Sequence, residues 1–515
     1  MPKGTPNNRL SSMLLLFIIL IGTFLRLYQL GSNSLWFDEA ISVWFANESL
    51  GNIIIKQTSA DVHPPFYYIV LSLWINVFGN GEFDVRLLSA IFGILSIPLL
   101  YLIVKNLFGT LPALISALML ALSPFHVYYS QEARMYSILT FCVLLSIFFM
   151  VKMLSIGKEP TQTKKTIFYS IGYVISTLAS LYCHNVALLL PIAQNFFFII
   201  FWNRHRPFLK FWIPSLLTII ILWAPWTSTF FKQSSSVGKS SYTPPLTSES
   251  IINLFATFNN GPTYWLFNWI DVGNFSLIHG RLVLLTIIFF SLLFLTGIIY
   301  GRHNPRSLVL LLLISFVPIG TQLLISLKHS ILATQTLIWA SVPYIVLIAL
   351  GISSIKLKWV FALTIVLIIA INSASLYKYY TEFEKERWDL AAEYVAQNSD
   401  IREPQSNDKE DLVLFSSALG QIPFEYYFDK YDLMLEKHGL PKDYSERKMA
   451  FEDVPALENL SRNHKRIWLI YSHEWFTDPD KLSIATLEKN YCLSKSKDFK
   501  SGQSNVSCYL FETCK

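Results

Sequence analysis

The chain has 515 residues, of which 53% are hydrophobic, 15% aromatic and only 15% charged. Soluble domains carry about a quarter charged residues, so a soluble enzyme of this length is excluded and an integral membrane protein is indicated. The net charge of +6 is unevenly laid: only ten of the 35 acidic residues precede residue 376, against 22 Lys and Arg there. Two parts follow, a membrane block over 1–375 and a polar tail over 376–515 that is long enough for a core of its own.

A span needs roughly 20 apolar residues. Eleven such segments are read, centred near residues 20, 95, 116, 145, 174, 193, 219, 290, 316, 343 and 367. The first follows Lys3 and Arg9 and is read as an anchor, because no small-x-small cleavage site follows it. The next apolar run, Phe66 to Phe78, is short for a span and suits an interfacial or re-entrant helix in the first outer loop. Sidedness comes from Lys and Arg in short loops. With the N-terminus in the cytoplasm, the inner loops hold Lys105, Lys152, Lys158, Lys164, Lys165, Arg204, Arg206, Lys210, Arg302, Arg306, Lys356 and Lys358. The polar tail, after an odd number of spans, is then outside.

The acids of the membrane block fall on the opposite side. Asp38, Glu39, Glu48, Asp61, Glu82, Asp84, Glu132, Glu249 and Asp271 are outer; Glu159 is inner. Six of them crowd the loop 31–85 together with His63 and aromatic residues. Asp38-Glu39 lies just beyond the first span, between Trp36 and Trp44, where aromatics favour the headgroup level. A carboxylate partly withdrawn from water there can act as a general base; Asp38 can equally be an acid favoured by the dipole at a helix start. The second outer loop carries Glu132 and Arg134, with Tyr136 closing it. The Arg134 fork suits a phosphate, and an internal Glu132–Arg134 pair is the alternative. His184-Asn185 makes a tight turn between two spans, and Lys328-His329 adds cations near lipid phosphate depth.

Carboxylates and cations at one membrane face, with spans nearly free of acids, fit chemistry on a lipid-linked phosphate. A transporter or flippase is the competing reading; such proteins keep ionisable residues or broken helices near mid-membrane. There is no P-loop, no dinucleotide glycine fingerprint and no nucleotide-handling cytoplasmic domain, and nothing points to nucleic acid. The five cysteines show no zinc spacing. Cys142 and Cys183 read as apolar fillers; Cys492, Cys508 and Cys514 lie in the outer tail, where oxidation is allowed, and Cys492–Cys508 could close a hairpin, with the pairing among the three left open.

The tail reads as a small α/β domain. A helix is expected over Glu384–Asn398, with Trp388, Ala391, Ala392 and Val395 on one side. Strands are expected at Leu412–Ser416, Ile467–Tyr471 and Val506–Phe511, and helices at Leu419–Tyr427 and Pro479–Lys489. His473-Glu474-Trp475 is a candidate glycan contact, and acceptor recognition or a lid is the role expected of the tail.

Arg26-Leu-Tyr, Leu35-Trp-Phe-Asp-Glu-Ala, His63-Pro-Pro-Phe-Tyr-Tyr, Arg86-Leu-Leu-Ser-Ala and Tyr129-Ser-Gln-Glu-Ala-Arg-Met-Tyr, in this order, resemble the GT-C membrane glycosyltransferases. The kin are bacterial relatives of the protein O-mannosyltransferases and the lipid A aminoarabinose transferase, and the likeness covers about residues 10–350. It implies a polytopic α-helical membrane protein of the GT-C type in a bacterial plasma or inner membrane. The donor would be a polyprenyl-phosphate sugar; the acceptor would be a lipid, glycan or protein at the outer face. Asp38 would be the base of an inverting transfer, with Glu39 beside it and Glu132 as the second-loop carboxylate. Arg134 would contact phosphate, and Asp61 and His63 would line the site or bind acceptor or metal. No cofactor is implied as required; some relatives carry a divalent metal ion and others need none. Two departures stand out. Gln335 occupies the stretch where many relatives carry an Arg, which leaves the phosphate grip to Lys328 or His329. The loop 229–279, with Tyr242, Tyr264, Trp265 and Trp269, has no room for the extra β domain of eukaryotic protein mannosyltransferases.

Overall fold

The computed structural model describes residues 8–59, 62–155, 163–237, 245–261, 277–399, 411–441 and 448–514. Asp61, and Tyr242, Tyr264, Trp265 and Trp269, lie outside the described residues. The chain forms two compact units: residues 1–30, 61–70 and 86–381 make one, and residues 31–60, 71–85 and 382–515 make the other. The expected boundary near residue 375 falls inside the helix Lys358–Glu382.

The first unit is helical. Among the described residues, eight helices are long and apolar enough to cross a membrane, or nine when Thr110–Leu122 and Pro124–Ser130 count as one span bent by 56°. The bend sits at Ser123-Pro124. Proline removes one helical donor and suits a first helical turn, and the Ser123 hydroxyl accepts from the His126 N–H at 3.4 Å. Of the eleven expected spans, those centred near 193 and 290 fall in shorter apolar helices, 185–200 and 285–301. Phe66–Phe78 is a 13-residue helix, about 20 Å long at 1.5 Å per residue and too short for a hydrocarbon core of about 30 Å.

Small and polar side chains set the close packing. Helix Ile338–Ser353 is buried along nearly its whole length. It crosses helix Leu277–Gly301 so closely that a Cβ on Gly297 would meet the Leu347 carbonyl, and one on Gly351 the Leu293 carbonyl, which is the small-residue contact of membrane bundles. Helices Tyr136–Ser155 and Thr163–Cys183 are bridged by Ser146 and Thr177 at 2.8 Å. Gln194 extends that network to Ser146 and to the Tyr173 hydroxyl, each at 3.0 Å. Buried polar groups in lipid must find such partners.

The second unit contains a five-stranded sheet: β1 (Leu412–Phe415), β2 (Glu436–Gly439), β3 (Arg466–Ser472), β4 (Tyr491–Phe499) and β5 (Val506–Thr513), in the order β2-β1-β3-β5-β4. The β1–β2 and β1–β3 pairs are parallel; β3–β5 and β4–β5 are antiparallel. Successive strand residues point to opposite faces. Val413, Phe415, Trp468 and Ile470 therefore pack with Trp388, Ala391, Ala392, Val395 and Phe424 on one face. Leu412, Leu414, Ile467 and Leu469 pack with Leu457 and Leu487 on the other. Parallel strands covered on both faces read as continuous apolar runs, which is why β1 and β3 were legible. The mostly exposed β4 and the short polar β2 were not.

One cysteine expectation is corrected. The disulfide joins Cys492 to Cys514, with Cα atoms 5.1 Å apart. The hairpin register sets Cys508 opposite Lys497, and Cys508 is a buried free thiol in the sheet core. Cys142 and Cys183 are buried, as expected of apolar fillers.

Candidate active site

Asp38 and Glu39 open the helix Phe37–Ala46, which belongs to the second unit. Glu39 accepts from the Trp36 N–H at 3.3 Å, closing the first turn back on itself. It is fully buried, and its carboxylate meets the Lys385 ammonium, itself only 2% exposed, at 3.0 Å. Asp38 is half-buried on the same turn. The neighbouring carboxyls thus occupy different surroundings, Glu39 in a buried ion pair and Asp38 only half-buried.

The segment before Asp38 is held by residues of the polar tail within the same unit. The Leu35 N–H donates to the Tyr427 hydroxyl at 2.6 Å. The Ser34 hydroxyl donates to the Glu386 carbonyl. The Phe37 N–H donates to the Glu386 carboxylate at 3.0 Å, and the same oxygen accepts from the Trp388 indole at 2.8 Å. The other Glu386 oxygen faces His473 Nε2 at 3.2 Å. The His473 ring lies 5.2 Å from the Phe37 ring, and Phe37 packs against the apolar core that contains Trp388 and Phe424. Burial pushes the Glu386 carboxyl above the ordinary carboxylate range, and the Asp38 charge adds to that; His473, the Trp388 indole and the Phe37 N–H pull it back. Lys385, Glu386 and Tyr427 were not singled out from sequence. Their signal is only that charged and aromatic residues flank an apolar helical stripe, and that pattern is common at helix starts.

The other candidates belong to the first unit. Gln131 to Met135 form a tight turn between helices Pro124–Ser130 and Tyr136–Ser155. The Gln131 amide lies within reach of the carbonyls of Leu25, Arg26 and Tyr28, at 3.3, 3.1 and 2.8 Å, and so serves the orphan acceptors at the end of the first helix. Arg26, fully buried, donates to the Ser130 hydroxyl at 3.2 Å and to the Gly22, Ala121 and Leu120 carbonyls at 3.0–3.1 Å. Two of those carbonyls end the helix Thr110–Leu122, where a cation is favoured by the helix dipole.

Glu132 is fully buried at this turn, with the Tyr128 hydroxyl against its carboxylate. Arg134 is 5% exposed, and its carbonyl accepts from the Ser89 hydroxyl at 3.1 Å. Tyr136 lies 4.8 Å from the Tyr129 ring and 6.4 Å from the His184 ring, and His184 lies 5.2 Å from His63. Tyr136, His63 and His184 are therefore brought together. His184 also receives the Val186 N–H on Nδ1 at 3.1 Å, and the Asn185 amide donates to the Val62 carbonyl at 3.0 Å. The turn therefore fixes the His63 segment as well. Lys328 and His329 are exposed beyond the helix Pro305–Ser326, and Gln335 is half-buried. Among the described residues no three His, Cys, Asp or Glu side chains converge as a metal ion would need.

Comparison with known proteins agrees with this architecture. Residues 62–228 match the sequence model of the dolichyl-phosphate-mannose-protein mannosyltransferases. A putative mannosyltransferase, YkcB, of Bacillus subtilis is 26% identical over 157 residues, covering 28% of this chain and 21% of that protein. An uncharacterized protein of Aquifex aeolicus is 26% identical over 192 residues, covering 36% of this chain and 37% of its own. The matches thus span well under half the length of these relatives. The crystal structure of ArnT from Cupriavidus metallidurans in the apo state is similar over 96% of this chain and 97% of that one, at a TM-score of 0.58 and 14% identity. The same protein bound to undecaprenyl phosphate gives the same TM-score. The chain has the fold of the GT-C membrane glycosyltransferases.

Proposed function

We propose that the chain transfers a sugar from a polyprenyl-phosphate donor to an acceptor hydroxyl at the outer membrane face. The observation that carries the reading is the environment of Asp38: a half-buried carboxylate on the first turn of a fixed helix, beside a Glu39 held in a buried ion pair. Such a group can accept a proton when its partner approaches. The fold likeness to ArnT, which has been seen bound to undecaprenyl phosphate, and the family match to mannosyltransferases support the donor class.

In this reading Asp38 takes the proton of the acceptor hydroxyl as that oxygen attacks the anomeric carbon. The bond from that carbon to the phosphate oxygen breaks, its electron pair leaves with the polyprenyl phosphate, and the configuration inverts. One base suffices for a single displacement. The leaving phosphate gains charge, so fixed cations lower the barrier; Arg134, Lys328 and His329 are the candidates. Glu132, His63, His184 and Tyr136 are assigned to donor and acceptor binding, and Asp61 is kept as a further candidate. The acceptor class is a lipid, a glycan or a protein. The test is transfer from labelled polyprenyl-phosphate sugars with Asp38→Asn as the comparison. Loss of transfer in a folded variant supports the reading. A protein that moves the intact lipid or a solute across the membrane without breaking the sugar–phosphate bond would be a transporter instead.

A further inference from the structure

The tail sheet has the form that usually takes a ligand. Its parallel strands run β2-β1-β3; the chain leaves β1 toward β2 on one side and returns to β3 on the other. In open sheets of this kind the crevice beyond the carboxyl ends of the strands, where the order reverses, is the customary binding place. Here that place lies past Phe415 and Ser472. The two strand ends are joined there, with the Ser416 N–H on the Ile470 carbonyl at 3.3 Å and the Ser416 and Thr477 hydroxyls 3.2 Å apart.

His473, the residue after β3, is held in the left-handed region at φ 53°. Its ring lies against that of Phe37, tilted by 55°, and its Nε2 faces Glu386. Phe37 packs on the core that holds Phe415 and Ile470, and its N–H ends on Glu386. The residue immediately before Asp38 is thus anchored beside the carboxyl end of β3.

We infer that the tail is a positioning device for the base, in which Glu386, His473 and Lys385 fix the first turn of helix Phe37–Ala46 and so aim Asp38. None of the three need touch substrate. Glu386 receives Phe37 and Trp388 on one oxygen and faces His473 Nε2 with the other, at 3.2 Å, so a neutral isostere keeps the contacts: a Gln oxygen accepts both N–H groups and its amide faces His473. An Ala removes them all. Lys385 acts one residue further on, by neutralising Glu39 inside the same turn. The tail's contribution is therefore to turnover rather than to acceptor choice.

This inference rests on the proposed role of Asp38, and the experiment separates the two. Full-length protein in nanodiscs is compared as wild type, Asp38→Asn, Glu386→Ala, Glu386→Gln and His473→Ala. Two readouts are used: amide hydrogen exchange over residues 37–46 and over β1 and β3, and kcat and KM with a panel of labelled undecaprenyl-phosphate hexoses and pentoses. Glu386→Ala is expected to speed exchange at 37–40 and to lower kcat, each by about tenfold, as for the loss of one charge-assisted hydrogen bond. Protection in β1 and β3 and the donor KM should change little. Glu386→Gln should recover most of both, and His473→Ala should shift both in the direction of Glu386→Ala. Unchanged exchange at 37–40 in Glu386→Ala and His473→Ala overturns the inference whether or not any donor is used. So does an unchanged kcat in both, where Asp38→Asn is inactive. If no donor is turned over, or if Asp38→Asn retains full transfer, the reading of Asp38 fails while the exchange result still decides whether the tail fixes the helix.

Discussion

Asp38 and Glu39 are sequence neighbours, and the sequence alone could not divide roles between them. Burial divides them. Removing one partner of the buried Glu39–Lys385 pair leaves the other charge unmatched, at a cost of about 3–5 kcal/mol, while replacing both by neutral side chains of similar volume is far milder. Lys385→Met should therefore lower the thermal stability of the tail sharply, and Glu39→Gln with Lys385→Met should restore most of it; calorimetry of the purified chain measures both. Glu386 gives a pH signature. Its folded pKa is raised by burial above the unfolded carboxylate value of about 4.3. Its stabilisation is then full below that value and is lost as pH rises through the folded pKa. Glu386→Gln should flatten the decline of stability as pH rises from the unfolded value through the folded one, and an unaltered pH slope would contradict the assignment. Asp38, Glu132, Arg134 and His63 were legible as candidates because each belongs to a run of polar and aromatic residues beside a span. Lys385 and Glu386 were not, because their partners lie about 350 residues away and local pattern carries no signal at that separation.

The elements divide along the same line. Long apolar helices and the buried parallel strands announce themselves by composition, since both are apolar throughout. The short helix Pro124–Ser130 was expected as loop; its start is set by Ser123-Pro124 and its place by packing. Helix Phe66–Phe78 was read correctly as too short to span because length alone decides it. The edge hairpin β4–β5 was half-seen, and its disulfide stayed open among three cysteines because pairing depends on strand register rather than on spacing. Cys492–Cys514 closes a separation of 22 residues, and such a link typically contributes about 2–4 kcal/mol. Cys492→Ser with Cys514→Ser should lower the Tm of the tail measurably. A Cys508→Ser variant should not mimic it through loss of a link, since that thiol is free.

At the scale of the whole chain, the first outer loop is the element whose allegiance the sequence did not reveal. Composition assigns residues 31–60 and 71–85 to the membrane block, yet they form one compact unit with the tail. The same two-sided charge pattern predicts sidedness. A cysteine placed at Lys356 should resist an impermeant maleimide in intact cells, and one placed at Trp475, which is 62% exposed, should react. The reverse pattern would invert the proposed orientation. Asp38 is proposed as the base of sugar transfer from a polyprenyl-phosphate donor. Transfer from a panel of labelled polyprenyl-phosphate sugars, measured in membranes holding equal amounts of folded wild type and Asp38→Asn, tests it most directly. The wild type should transfer from at least one donor, and the variant should fall by about a hundredfold or more, the contribution usual for a general base. Equal transfer by both proteins, or none from any donor, would contradict it.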